Sequence, residues 1–228
     1  MPDAMQLRSF SSRGKNLKIN SMMILQRVKR LIHPPFHQMQ AKRLGEEIVK
    51  FSDSSLSLLD VGCGDMVITR FINELAPRKK IMGVDVVDYR QANVPFLLYD
   101  GDNLPFEDDS FDTVYAIFVL HHCADEVSVL KEMLRVSKVN VIIIEDVVDS
   151  VFGKYVTYLN DWIANRLESP DIPIPFHFHS DVQWKDLFDL LRSRVVYEKR
   201  VHQLPFPFNF TRQKLYVIEK SSSRLTAD

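Results

Sequence analysis

The chain has 228 residues, 46% of them hydrophobic and 26% charged, with a net charge of -1. That is enough for one sizeable α/β domain and marginal for two. It excludes a collagen-like or disordered composition, and two cysteines exclude a disulfide framework. No apolar run reaches the ~20 residues that span a bilayer, and the net charge gives no overall attraction to nucleic acid.

The charge is uneven. Nine Lys or Arg against Asp3 make residues 1–43 +8, so the remainder carries -9. A solvated helical face accounts for this better than a nucleic-acid arm or an organelle-targeting segment. Cytoplasm is the expected location. Residues 1–19 show no periodicity. From Ser21, the spacing of Met22, Leu25, Val28 and Ile32 predicts a helix that Pro34 and Pro35 stop, with another following to about Phe51. Residues 1–55 are expected to form an N-terminal arm with lid helices ahead of a catalytic-type domain over 56–228.

After Ser57, strands and helices alternate. Leu58 to Val61 predicts a buried strand running into Gly62-Cys63-Gly64, then a helix over Val67 to Leu75. Lys80 to Val84, Phe96 to Tyr99 and Thr113 to Val119 predict three more strands. Glu126 to Val136 is amphipathic and helical. Val139 to Ile144 has the unbroken hydrophobicity of a parallel strand covered on both faces. A helix over Val182 to Leu191 and alternating segments over Val195 to Val201 and Lys214 to Lys220 complete the series. The pattern implies a doubly wound, Rossmann-like sheet of seven strands. It is mostly parallel with an antiparallel last strand, and helices lie on both faces.

Asp60, Asp85 and Asp100 fall where consecutive strands end, and in such sheets the ligand crevice lies at those ends. Gly62 and Gly64 allow close backbone approach, and the following helix presents its amides. The expected ligand carries hydroxyls, a donor-bearing ring and a positive centre, a description that a nucleoside sulfonium meets.

LLDVGCGDM (58–66), GVDV (83–86) and YDGDNLPFEDDSFDTVYAIFVLHHCAD (99–125) resemble class I S-adenosylmethionine-dependent methyltransferases, most of all the ubiquinone/menaquinone-biosynthesis type of small-molecule enzyme. The likeness covers roughly Leu56 to Val147. It implies that Asp60 organises the loop holding the methionine amino group, with Gly62, Cys63 and Gly64 lining it. Asp85, followed by Val86, would accept from the ribose hydroxyls. Asp100, with Gly101 and Asp102, would receive the adenine amino group, and Ala116 and Ile117 would lie along the methionine part. The chain departs from the family's usual pattern at Met66, where a third glycine is usual. It departs again at Ser137-Lys138-Val139-Asn140, where a Lys-Pro-Gly-Gly turn is usual.

His121 and His122 are the candidate bases, should the acceptor arrive protonated, because a free histidine titrates near neutrality. An insertion at about 147–180 is expected to overhang the crevice as a lid. Its Tyr155, Tyr158 and Trp162, with Asp146 before them, are the candidate acceptor pocket, suited to a planar or lipophilic molecule. A helical apolar stripe is first a packing signal, so fastening the insertion to the core is the reading favoured over the pocket. No metal is expected, since neither Cys nor an acidic cluster accompanies His177 and His179. Three other functions compete. A nicotinamide dehydrogenase is favoured by the spacing from Gly62 to Asp85, but the third glycine and a substrate domain are missing. A nucleic-acid-associated methyltransferase would use the basic N-terminus, against the acidic remainder. A domain that binds the cofactor without turnover is the third.

Overall fold

The computed structural model describes residues 35–88, 90–168, 177–202 and 211–221. The basic stretch before residue 35, Pro170, Pro173, Pro175 and Phe176 lie outside these. The chain divides into two units, 1–38 and 39–228. Of the first, only the opening turn of helix α1 (35–51) is described.

The second unit is built on one seven-stranded sheet ordered β3-β2-β1-β4-β5-β7-β6. Strands β1 (Ser57–Val61), β2 (Lys80–Asp85), β3 (Phe96–Leu98), β4 (Phe111–Ile117) and β5 (Ser137–Asp146) are paired in parallel. β7 (Gln213–Lys220) is antiparallel to both β5 and β6 (Ser193–Val201). The direction of winding reverses between β1 and β4, which makes the carboxyl ends of these two strands the switch point.

Alternation along the strands divides the core in two. One face carries Leu59, Val61, Val114, Val141 and Ile143 against Leu130 and Met133 of α3 (Glu126–Val136) and Trp184 and Phe188 of α5 (Asp181–Leu190). The other carries Leu58, Tyr115, Ile142 and Ile144 against Leu44 and Ile48 of α1 and Ile72 of α2 (Val67–Leu75). Helices therefore cover both faces, as the alternation required.

Two of the boundaries that depart from the sequence expectation have a visible local cause. α3 passes straight into β5 at Ser137 without turn residues, and the Ser137 hydroxyl donates to the Asn140 carbonyl at 2.8 Å. β4 stops at Ile117 because Phe118 takes φ 55°, left-handed for a non-glycine residue. The chain there leaves the sheet for a 3-10 turn over Leu120–His122. Helix α4 (Val151–Glu168) occupies the predicted insertion. Among the described residues no helix is long and apolar enough to cross a membrane.

Candidate functional site

The glycine loop follows β1 directly. The Gly62 and Cys63 amides both donate to the Val84 carbonyl, at 2.8 and 3.1 Å, and fold the loop back over the end of β2. Gly64 donates to Asp85 Oδ2 at 2.8 Å, while Asp85 Oδ1 accepts from the Val86 and Val87 amides at 2.7 and 3.2 Å. The carboxylate at the end of β2 thus closes the loop after β1. Gly62 has φ 70°, and a Cβ there would sit 2.5 Å from Val119 Cγ1.

Met66, standing where the resembling proteins have glycine, also has φ 63° and is fully buried at the start of α2. Its methyl and the Cys63 thiol fill the space over Gly83, where a Cβ would lie 2.7 Å from each. The missing side chain at 83 therefore accommodates the extra one at 66, and Met66 turns into the core rather than over the loop. Burial pushes the Cys63 thiol far up, out of nucleophilic use.

Asp60 is buried beneath this loop. Thr69 of α2 donates to its Oδ2 at 2.6 Å, and the buried Tyr115 hydroxyl lies beside it. Burial raises the Asp60 pKa to about 7, only partly opposed by Thr69. A carboxyl raised on folding stabilises the fold fully below its unfolded value of ~3.9, and that contribution is lost as pH rises through about 7. Asp60→Asn removes it. Between pH 5 and 8 the wild-type urea midpoint is expected to fall relative to the variant's, by stability of about 3 kcal/mol at most. Parallel midpoints would contradict this assignment.

The Asp100 loop is pinned from α3. Arg135 donates to the Leu104 and Phe106 carbonyls at 2.9 and 2.8 Å, and Glu132 accepts from the Leu104 amide at 3.0 Å. Asp112, of the Ser-Phe-Asp segment, accepts from the amides of Leu56 and Ser57 where β1 begins. Asp100 itself is exposed. Its Oδ1 accepts from the Asp102 and Asn103 amides, which hold its pKa below the usual carboxylate range. Gly101, at φ 92°, places a would-be Cβ 3.1 Å from Val86, so this loop lies beside the end of β2. Ala116 is fully buried in the core, and Ile117 is half-buried.

The histidine pair lies at the end of β4. The parallel register sets Ile117 beside Ile144, so Glu145 follows at the level of the 3-10 turn. Glu145, fully buried, accepts from His121 Nδ1 through Oε2 at 2.6 Å and from the Val119 and Leu120 amides through Oε1 at 3.0 and 2.8 Å. His121 Nε2 faces Asp161 Oδ1 of α4 at 3.4 Å. Burial alone would lower the His121 pKa, but the charge of Glu145, supported by Asp161, outweighs it and raises the pKa. Such a ring is held as imidazolium and does not accept a proton at neutral pH. His122 is more open, and its Nε2 lies 3.8 Å from the same Asp161 oxygen. Asp146 is buried behind His121, accepts from Gln213 at 3.2 Å, and is raised by burial to about 6.

Of the aromatic stripe, only Tyr158 turns inward, its ring 5.4 Å from Phe178, which stacks on His121 at 4.7 Å. Tyr155 and Trp162 are 69% and 49% exposed, so they do not fasten α4 to the core. The buried face carries Thr157 and Asp161 instead, because it meets the polar end of β4. His177 and His179 both turn to Glu126, at 3.8 and 3.0 Å.

Sequence reasoning missed Glu145, Asp161, Glu132 and Arg135. Only Glu145 left a signal there, as a carboxylate ending the apolar run 141–144.

The donor set fits a nucleoside sulfonium better than a dinucleotide. Asp85 holds the glycine loop and Asp100 lies on the loop beside the end of β2, and these two carboxylates suit a ligand with hydroxyl and amino donors rather than a phosphate. Comparison with known proteins agrees. Residues 59–144 match the family described as a methyltransferase domain. The chain is 32% identical over 104 residues to demethylmenaquinone methyltransferase of Thermotoga maritima, 42% of this chain and 44% of that protein. It is 30% identical over 89 residues to tRNA U34 carboxymethyltransferase of Campylobacter curvus, 34% and 29% of the two chains. The chain thus spans less than half the length of these curated relatives. A SAM-dependent methyltransferase structure from Aquifex aeolicus shares the fold with TM-score 0.57 and 17% identity, over 85% of this chain and 97% of that one. Residues 59–144 thus match a methyltransferase domain on a class I fold, similar to those of the ubiquinone/menaquinone-biosynthesis type.

Proposed function

We propose that the chain transfers the methyl group of S-adenosylmethionine to a small, planar or lipophilic acceptor at the carboxyl ends of the central strands. One observation carries this reading: the Gly62–Gly64 loop is closed onto Asp85 within the matched methyltransferase segment. S-adenosylmethionine supplies a methyl group on a sulfonium, open to in-line displacement, so the protein's contribution is chiefly positioning.

In this reading the loop above Asp60, through Gly62, Cys63 and Gly64, receives the methionine amino group. Asp85 shares its carboxylate between the Gly64 amide and the ribose hydroxyls, next to Val86. The exposed Asp100 receives the adenine amino group, with Gly101 and Asp102 alongside, and Ala116 and Ile117 flank the methionine part. His122 takes the acceptor's proton where there is one to take. The ion-paired His121 serves to position its neighbour and the 3-10 turn. Tyr158 and Phe178 line the acceptor side, with Asp146 behind them, and α4, with Tyr155 and Trp162, covers it.

The likeness to a tRNA-modifying relative favours a second reading with an RNA acceptor, which the -9 charge beyond residue 43 opposes. Incubation with methyl-labelled S-adenosylmethionine, a demethylated quinol and unmodified tRNA separates the two. Label in the organic extract is expected. Label confined to tRNA would overturn the small-acceptor assignment in favour of RNA.

A further inference from the structure

At the end of β4, ligand atoms of His121, His122 and Asp161 lie within 4.8 Å of one another. Asp161 Oδ1 is 3.4 Å from His121 Nε2 and 3.8 Å from His122 Nε2. Donor atoms on a tetrahedral ion with bonds of ~2.0–2.1 Å stand roughly 3.3 Å apart, so small side-chain shifts bring all three onto one centre. No spacing motif announces this, because Asp161 arrives from α4 across the insertion.

The surroundings have the form of a metal site's outer shell. Glu145 accepts from His121 Nδ1 at 2.6 Å, which assigns the proton to that nitrogen when the ring is neutral and turns the Nε2 lone pair toward Asp161. A carboxylate behind a histidine in this way fixes ring orientation and raises the ring's basicity toward a metal. Glu145 is itself held by two backbone amides. Glu145 and Asp161 flank the His121 ring, one at each ring nitrogen.

We propose that His121, His122 and Asp161 bind one divalent first-row transition ion. Two imidazoles and one carboxylate suit Zn²⁺ or Fe²⁺ rather than the all-oxygen preference of Mg²⁺ and Ca²⁺. Zn²⁺, which tolerates irregular four-coordinate geometry, fits best, and three protein ligands leave one position open to water or to an acceptor oxygen. Binding displaces a proton from the ring. The site is tested by metal binding alone, and an ion on His122 Nε2 takes up the lone pair that its role as base requires, so the two roles of His122 are alternatives.

The test uses the full chain, stripped with a chelator and titrated with Co²⁺ and then Zn²⁺. One equivalent of Co²⁺ is expected to give visible ligand-field bands that Zn²⁺ abolishes, with a Zn²⁺ dissociation constant in the micromolar range or tighter. His122→Ala and Asp161→Asn should each weaken Zn²⁺ binding at least tenfold with the far-ultraviolet circular dichroism unchanged. The double variant His177→Ala, His179→Ala should bind like the wild type. If one of the two ligand variants does not fold, the other decides. Absence of stoichiometric binding by the wild type overturns the proposal. So does wild-type affinity in a folded ligand variant, or loss of binding in the His177, His179 variant.

Discussion

Gly62→Ala is expected to cost roughly 2–5 kcal/mol of folding stability and to abolish cofactor binding in whatever fraction remains folded. Two effects add. The backbone at 62 has φ 70°, which an alanine occupies at a cost of about 1–2 kcal/mol. The new Cβ would also stand 2.5 and 2.6 Å from the two γ-carbons of Val119, an overpacking worth about 1–3 kcal/mol. Val119 cannot simply step aside. Its amide is held by Glu145, and Phe118 before it already sits at φ 55°. The double variant Gly62→Ala, Val119→Ala relieves the clash and leaves the backbone strain. Urea unfolding should show it recovering part of the loss from Gly62→Ala. If the single variant matches the wild type, the loop does not have the described shape. If the double variant recovers nothing, the Val119 contact does not matter.

Glu145→Ala carries the second large effect, about 3–5 kcal/mol, the usual cost of breaking a buried pair by removing one partner. It strands the Val119 and Leu120 amides and leaves His121 facing Asp161 alone. The loss has a pH signature. A histidine whose pKa is raised on folding contributes fully below its unfolded value, ~6.5, and that contribution fades as pH rises through the folded value. The gap between wild type and Glu145→Ala is therefore expected to be largest below pH 6.5 and to shrink through the alkaline range, read from urea midpoints at several pH values. A gap independent of pH would mean that His121 and Glu145 do not form a charged pair in the folded state.

The sheet was legible because its signals are local. The period changes after Ser57, and α2 and α3 are bounded where Pro77 and the capping Asp125 stand, the latter accepting from the Ser128 amide at 3.0 Å. The glycine loop and the acidic strand ends were legible for the same reason, as each sits on one short segment. What escaped depends on non-local contact or on unmarked backbone. Phe118 at positive φ leaves no trace in residue type, so β4 was read as ending two residues too late. Met66 reads as a defect in the loop until Gly83, on the neighbouring strand, is seen to make room for it. The Glu145–His121–Asp161 line joins β5, the turn after β4 and α4, three elements that only the tertiary fold brings together. The aromatic stripe of α4 misled because hydrophobic periodicity normally marks the packed face, whereas here the packed face meets buried charge.

Calorimetric titration of S-adenosylmethionine and S-adenosylhomocysteine into the wild type, Asp85→Asn and Asp100→Ala tests the central claim most directly. Asp100 is exposed and held only by its own loop, so its replacement leaves the fold intact. The account predicts micromolar binding of both ligands by the wild type and at least a tenfold loss in each variant. A folded wild type that binds neither ligand, or variants that bind as the wild type does, would contradict it.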